Sequence, residues 1–304
     1  MLVPFTHWGL YFRWIGDSRN LCETMIAARS ELIYDVGFFD GADTTFYLSR
    51  GYQVVAIDAN PLMACRAKVR FAKEIEAKRL SLLNVGIAET SGTAPFWISD
   101  HLDWSSFHEA IASRDGVGHR AVSVPVMPFS EILAEYGIPH YLKVDIEGSD
   151  SLCINALRGN ELPRYLSVES ECVGDSAVLS DDEAVAMLSL LRGVGYRRFK
   201  LVNQCGWIPV RPAGVKRFCQ GIVNGAAQHP RLYAKIASRF TDAARLARLG
   251  FVFTHGATGP WGEDIPGDWM NFETARSTYL NERRQFFSIE RPLYSFWYDW
   301  HATY

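Results

Sequence analysis

Residues 34–44 read Tyr34-Asp35-Val36-Gly37-Phe38-Phe39-Asp40-Gly41-Ala42-Asp43-Thr44. They follow the apolar run Leu32–Val36 and precede a helical pattern over Thr44–Ser49 that Gly51 stops. Gly37 and Gly41 lack Cβ atoms, so the turn can be tight and a ligand can approach the backbone. The next helix N-terminus can receive a carboxylate or phosphate. A dinucleotide loop needs GxGxxG and a Walker loop needs GKS or GKT; this stretch has GxxxG and neither motif. Asp35, at the strand end, would repel a pyrophosphate but can accept a bond from an ammonium group.

Outward from this turn, strand and helix patterns alternate. Gln53–Ile57 is a buried strand ending in Asp58. Pro61–Lys78 reads as one helix with proline in its first turn, and Leu80–Val85 as a third strand. Ala94–Ile98 and Ala121–Val126 are short strands around an irregular stretch, and Phe129–Tyr136 is a helix stopped by Gly137. Strands over Tyr141–Ile146, Tyr165–Val168 and Arg197–Val202 follow, with helices over Ser149–Leu157 and Asp181–Leu191; Ser295–His301 closes the series. Such alternation predicts an α/β fold with a mostly parallel seven-stranded sheet and helices on both faces. All strand C-terminal ends then share one edge, where ligands bind.

Residues 205–290 break the pattern and read as an insertion, an acceptor-binding or lid region within a domain of 1–204 plus 291–304. The chain's 304 residues carry a net charge of only −3, which excludes a basic nucleic-acid coat. Arg197–Leu249, however, holds eleven Lys and Arg against the single acid Asp242. Within it, 231–249 is predicted to be a helix with Arg231, Lys235, Arg239, Arg245 and Arg248 on one face. The basic stretch suggests a small-molecule or saccharide acceptor that is anionic or carrier-linked, with at most peripheral membrane contact; nucleic acid is not expected. The six cysteines form no CxxC pair, so neither a zinc site nor a disulfide framework is expected and a reducing, cytoplasmic setting fits. No run reaches the ~18 apolar residues of a membrane span. Oligomeric state is not legible.

Four motifs in order resemble the FkbM-type methyltransferases. They are Asp35-Val36-Gly37 with Gly41 and Thr44; Val55-Ala56-Ile57-Asp58-Ala59-Asn60-Pro61; Asn84-Val85-Gly86 with Gly92; and Leu142-Lys143-Val144-Asp145-Ile146-Glu147-Gly148. The terminal Trp297-Tyr298-Asp299-Trp300-His301-Ala302 resembles the closing strand of some members. Members usually carry Ala-Asn where this chain has Phe38-Phe39. The resemblance implies a class I, Rossmann-like methyltransferase fold whose last strand is antiparallel, S-adenosylmethionine as cofactor, and mostly hydroxyl methylation, with some relatives acting on amide nitrogen. By position it implies that Asp35, Gly37 and Gly41 face the methionine part, Asp58 the ribose, and Asn84 and Val85 the adenine.

A hydroxyl acceptor is a weak nucleophile until its proton is accepted, so a general base is expected. Asp145 and Glu147 end one strand and Glu169-Ser170-Glu171 the next, which brings carboxylates to one edge. Crowding should raise at least one of their pKa values. Asp145 and Glu147 are expected at the site, one near the cofactor sulfonium and one toward the acceptor, with Glu169 and His255 as further catalytic candidates and Asp145 also a cofactor contact; His101 and His108 flank the irregular stretch. Ser105 and Ser106 are candidates for the cofactor carboxylate, and Trp261 for closing over the acceptor. The acids could instead hold Mg²⁺, but a metal-free site is preferred. The favoured activity is O-methylation of a hydroxyl on a saccharide or natural-product scaffold. Amide N-methylation of a peptide, a cofactor-binding module without transfer, and an NAD-dependent oxidoreductase are the alternatives, the last disfavoured by the missing GxGxxG.

Overall fold

A computed structural model describes residues 29–170, 179–204, 207–212, 250–251, 253, 257–288 and 296–304. His255, Glu171 and the basic 231–249 segment lie outside the described residues.

β1 (Arg29–Val36) leads through the Gly37–Gly41 turn into α1 (Ala42–Ser49), then β2 (Gln53–Ile57), α2 (Pro61–Arg70), α3 (Ala72–Glu76) and β3 (Leu80–Leu83). The expected single helix 61–78 is two. Phe71 breaks it at φ −105° and ψ 23°, and its buried ring packs over Gly41, where a Cβ would lie 2.7 Å from the ring. Inward packing of this ring outweighs helical continuity.

β4 (Gly86–Ile87), β5 (Gly92–Ser99) and β6 (His119–Met127) form a separate sheet in the order β4-β6-β5, with the short α4 (Glu109–Ala112) between β5 and β6. β5 and β6 are a long antiparallel pair, Gly92 opposite Val126 through Ser99 opposite His119. α5 (Phe129–Tyr136), β7 (Pro139–Val144), α6 (Asp150–Asn155) and β8 (Tyr165–Glu169) follow. Then come α7 (Asp181–Ala184), α8 (Ala186–Val194), β9 (Arg198–Asn203), β10 (Ile208–Val210), α9 (Phe272–Phe287) and β11 (Tyr298–Thr303).

The main sheet runs β10-β9-β11-β8-β7-β1-β2-β3. β3, β2, β1, β7 and β8 are mutually parallel, and β11 is antiparallel to both β8 and β9. This is the class I methyltransferase arrangement, with the closing antiparallel strand inserted between its two predecessors. Among the described residues the sheet has eight strands where seven were expected. The extra one, β10, is a three-residue edge strand containing Pro209, too short for a period-2 signal, with its proline at the sheet edge.

Side chains alternate across the sheet. Tyr34 and Val36 join the face covered by α5, α6 and α8, while Ile33 joins the face covered by α1 and α2. Tyr34 also donates its hydroxyl to the Gly137 carbonyl at 2.6 Å. The 205–290 stretch touches both faces. Ala275, Tyr279 and Leu280 of α9 enter the first core, and Phe253 and Ala257 the second. Asp43 at the start of α1 accepts the Thr258 and Gly259 amides at 2.9 and 3.0 Å. Trp261 stacks on Tyr141 of β7, centroids 4.7 Å apart and planes 16° apart. Among the described residues no helix is long and apolar enough to cross a membrane.

Candidate functional site

The strand order reverses between β1 and β7, and a crevice opens there beyond the strand C-termini. It holds a cavity of about 610 Å³, lined by the Gly37–Phe39 turn, Asp58, Val85, residues 101–105, Asp145–Gly148, Glu169 and Phe296–Tyr298.

The turn's geometry follows from its glycines. Gly37 sits at φ +81°, and a Cβ there would lie 1.7 Å from the Asp145 carbonyl oxygen. Only glycine lets the two loops close this far. Phe38 is buried in the α1-side core. Phe39 takes a left-handed φ of 47° and donates its amide to Asp58 Oδ2 at 3.0 Å, so the turn forms with Phe-Phe in place of Ala-Asn.

Asp58 Oδ1 accepts the Asn60 amide at 2.8 Å. Burial pushes this carboxyl up to about 6, against the pull of the two amides. Asn84 donates Nδ2 to the Asp58 and Ala59 carbonyls at 2.9 and 3.1 Å, so it braces the backbone that carries Asp58, while Val85 lines the cavity.

Asp35 is fully buried and is not among the lining residues. Its carboxylate accepts the Thr44 hydroxyl at 2.6 Å and pairs with Lys143 Nζ at 3.2 Å. Ser106 is also buried; its hydroxyl donates to the Glu147 carbonyl at 2.8 Å and accepts the His108 amide at 3.0 Å. Two residues read as cofactor contacts therefore lie behind the wall.

β7 ends at Val144, two residues earlier than expected, so Asp145 and Glu147 stand in the loop beyond it. Side-chain oxygens of Asp145, Glu147 and Glu169 all lie within 4.8 Å of one another, a spacing that one hard cation or one ammonium could bridge. Glu147 holds a left-handed φ of 51° and has Arg114 at 3.6 Å. Burial, then the neighbouring Asp145 charge, pushes Glu147 up to about 8. Burial also raises Asp145, opposed by Lys143, and burial plus the Glu147 and Asp145 charges hold Glu169 well above the usual carboxylate range. Behind Glu169, Asp299 of β11 sits opposite it in the ladder and accepts a bond from Gln204. His101 lines the cavity half-exposed, with Nδ1 2.5 Å from Asp103 Oδ1 and its ring stacked on Trp104 at 4.2 Å.

Sequence reasoning assigned no role to Lys143, Arg114 or Asp299. Lys143 had a signal: a lysine inside an apolar central strand needs buried partners. Arg114 had none, because its meeting with Glu147 depends on how the second sheet folds over the first.

The model of the methyltransferase FkbM domain matches residues 35–198. No curated protein matches the chain. Among solved structures, phosphoethanolamine N-methyltransferase 2 of Haemonchus contortus in complex with S-adenosyl-L-methionine is 11% identical at a TM-score of 0.35, over 91% of this chain and 49% of that one. A putative sarcosine dimethylglycine methyltransferase from Galdieria sulphuraria is 10% identical at 0.35, over 93% and 81%. The chain thus spans about half the length of the first. The family match covers more than half of this chain and all four of its motifs: the chain belongs to the FkbM methyltransferase family.

Proposed function

We propose that the chain is an S-adenosylmethionine-dependent O-methyltransferase acting on a hydroxyl of a saccharide or other natural-product scaffold. The observation that carries the reading is the cavity at the β1/β7 reversal, with Asp58 at one part and the Asp145–Glu147–Glu169 cluster at another. Its donor set fits the cofactor. Asp58 can accept ribose hydroxyls, Val85 offers an apolar contact for adenine, and carboxylates suit an ammonium and a sulfonium. The glycine turn allows close backbone approach.

The bound cofactor supplies an activated methyl group; the protein's part is position, electrostatics and the proton. Asp145 lies toward the sulfonium. Glu147, with a pKa near the working range, accepts the acceptor's hydroxyl proton as the oxygen lone pair forms the new O–C bond and the departing electron pair stays on sulfur. Glu169 keeps its proton and orients the acceptor by hydrogen bonding. His255 remains a second candidate base. The basic 231–249 segment suits an anionic or carrier-linked acceptor.

The test incubates the full chain with methyl-tritiated cofactor and either a panel of methyl glycosides or a panel of peptides, with and without EDTA. The reading expects label in an alkali-stable ether and no loss with EDTA. Label on amide nitrogen of an added peptide would replace it. Cofactor binding without transfer to either panel would make the chain a binding module.

A further inference from the structure

Lys143 is a buried lysine in the middle of the sheet, its side chain 4% exposed. Such a group is costly unless its charge and donors are matched. It stands opposite Asp35 in the β1–β7 ladder, and its ammonium has three partners: the Gly37 carbonyl at 2.6 Å, Asp35 Oδ1 at 3.2 Å and Asp145 Oδ2 at 3.8 Å. Gly37 opens the turn that forms one wall of the cavity, and Asp145 opens the loop that forms the adjoining wall. One nitrogen therefore ties both walls together from below.

We infer that Lys143 is the positioning residue that sets these two walls against each other, and that Asp35 serves the cofactor through Lys143 and not by touching it. This rests on the cofactor reading above. Asp35, fixed by Thr44, holds the ammonium from beneath; the ammonium in turn fixes the Gly37 carbonyl and orients Asp145. Burial pulls the Lys143 ammonium toward neutrality, but Asp35, Asp145 and Asp43 outweigh it and hold the group above its ordinary value. The strut stays charged throughout the working range.

The test compares melting temperature with calorimetric affinity for S-adenosylhomocysteine in the full chain. Lys143→Met should lower both, the affinity by at least about tenfold, because it also leaves Asp35 buried without a counter-charge. Lys143→Met with Asp35→Asn removes the buried pair together. It should recover most of the melting temperature while affinity stays at least about tenfold down, since the Gly37 carbonyl and Asp145 are still unheld. Recovery of both would overturn the inference and leave Lys143 a mere counter-ion. If the methionine variants do not fold, Asp35→Asn alone decides. Asp35→Asn leaves the ammonium bonded to the Gly37 carbonyl and Asp145 but less firmly held, so affinity should fall by clearly less than in Asp58→Ala, and a loss equal to that of Asp58→Ala would show that Asp35 meets the cofactor. A parent chain that fails to bind the probe would instead sink the cofactor reading, and this inference with it.

Discussion

Asp58 and Glu147 are both acids with raised pKa values, but the proposed function asks opposite things of them. Asp58 must be ionised to accept two ribose hydroxyls. Asp58→Ala should weaken S-adenosylhomocysteine binding by roughly 1–3 kcal/mol, read by calorimetry, and the parent's affinity should fall as pH drops through about 6. Glu147 must cycle its proton. Glu147→Gln should cost about 10²–10⁴ in transfer rate and leave cofactor affinity nearly unchanged. The same residue sets a stability slope. Its folded pKa of about 8 lies above the ordinary glutamate value of 4.5, so the folded state binds the proton more tightly. That contribution is complete below about pH 4.5 and is lost as pH rises to about 8. The parent's melting temperature should therefore decline between pH 5 and 8, and less steeply in Glu147→Gln; equal slopes would reject the assignment. Asp58, Asp145, Glu147 and Glu169 were legible as acids at strand ends, because strand direction alone places them on one edge. The burial of Asp35 and Ser106 was not, because strand periodicity does not say which atoms a side chain bonds.

At the scale of elements, the site depends on short segments held by long-range bonds. The Gly37–Gly41 turn and the Asp145–Gly148 loop meet with no room for a Cβ at Gly37. Gly37→Ala should destabilise the chain by about 1–3 kcal/mol through overpacking, with φ strain adding to it, measured as a fall in denaturation midpoint. Ser106, on the segment after β5, holds the carbonyl of Glu147 in its left-handed conformation. Ser106→Ala should cost about 1–2 kcal/mol and reduce transfer more than cofactor affinity. The β1, β2 and β8 cores were readable from their apolar runs. The break at Phe71 and the separate β4-β6-β5 sheet were not. The first needs the ring-on-Gly41 contact; the second needs strands to choose each other over the main sheet, a non-local choice that alternation does not encode.

For the whole molecule, the parallel order and its reversal follow from right-handed crossovers between alternating elements, which is why the strand C-terminal edge that carries the cavity was legible in the sequence. The 205–290 stretch was read as an interruption. Its described parts are built into the body: β10 extends the sheet, α9 covers one face, and 257–262 covers the other. Trp261, read as a closing residue, is stacked on β7, because its indole gains more from Tyr141 and the neighbouring rings than from solvent. The most direct test is a calorimetric titration of the full chain with S-adenosylhomocysteine and, in parallel, with NAD. Saturable binding of S-adenosylhomocysteine, weakened by Asp58→Ala, with no heat from NAD, is the predicted result. Binding of NAD with none of S-adenosylhomocysteine would contradict it.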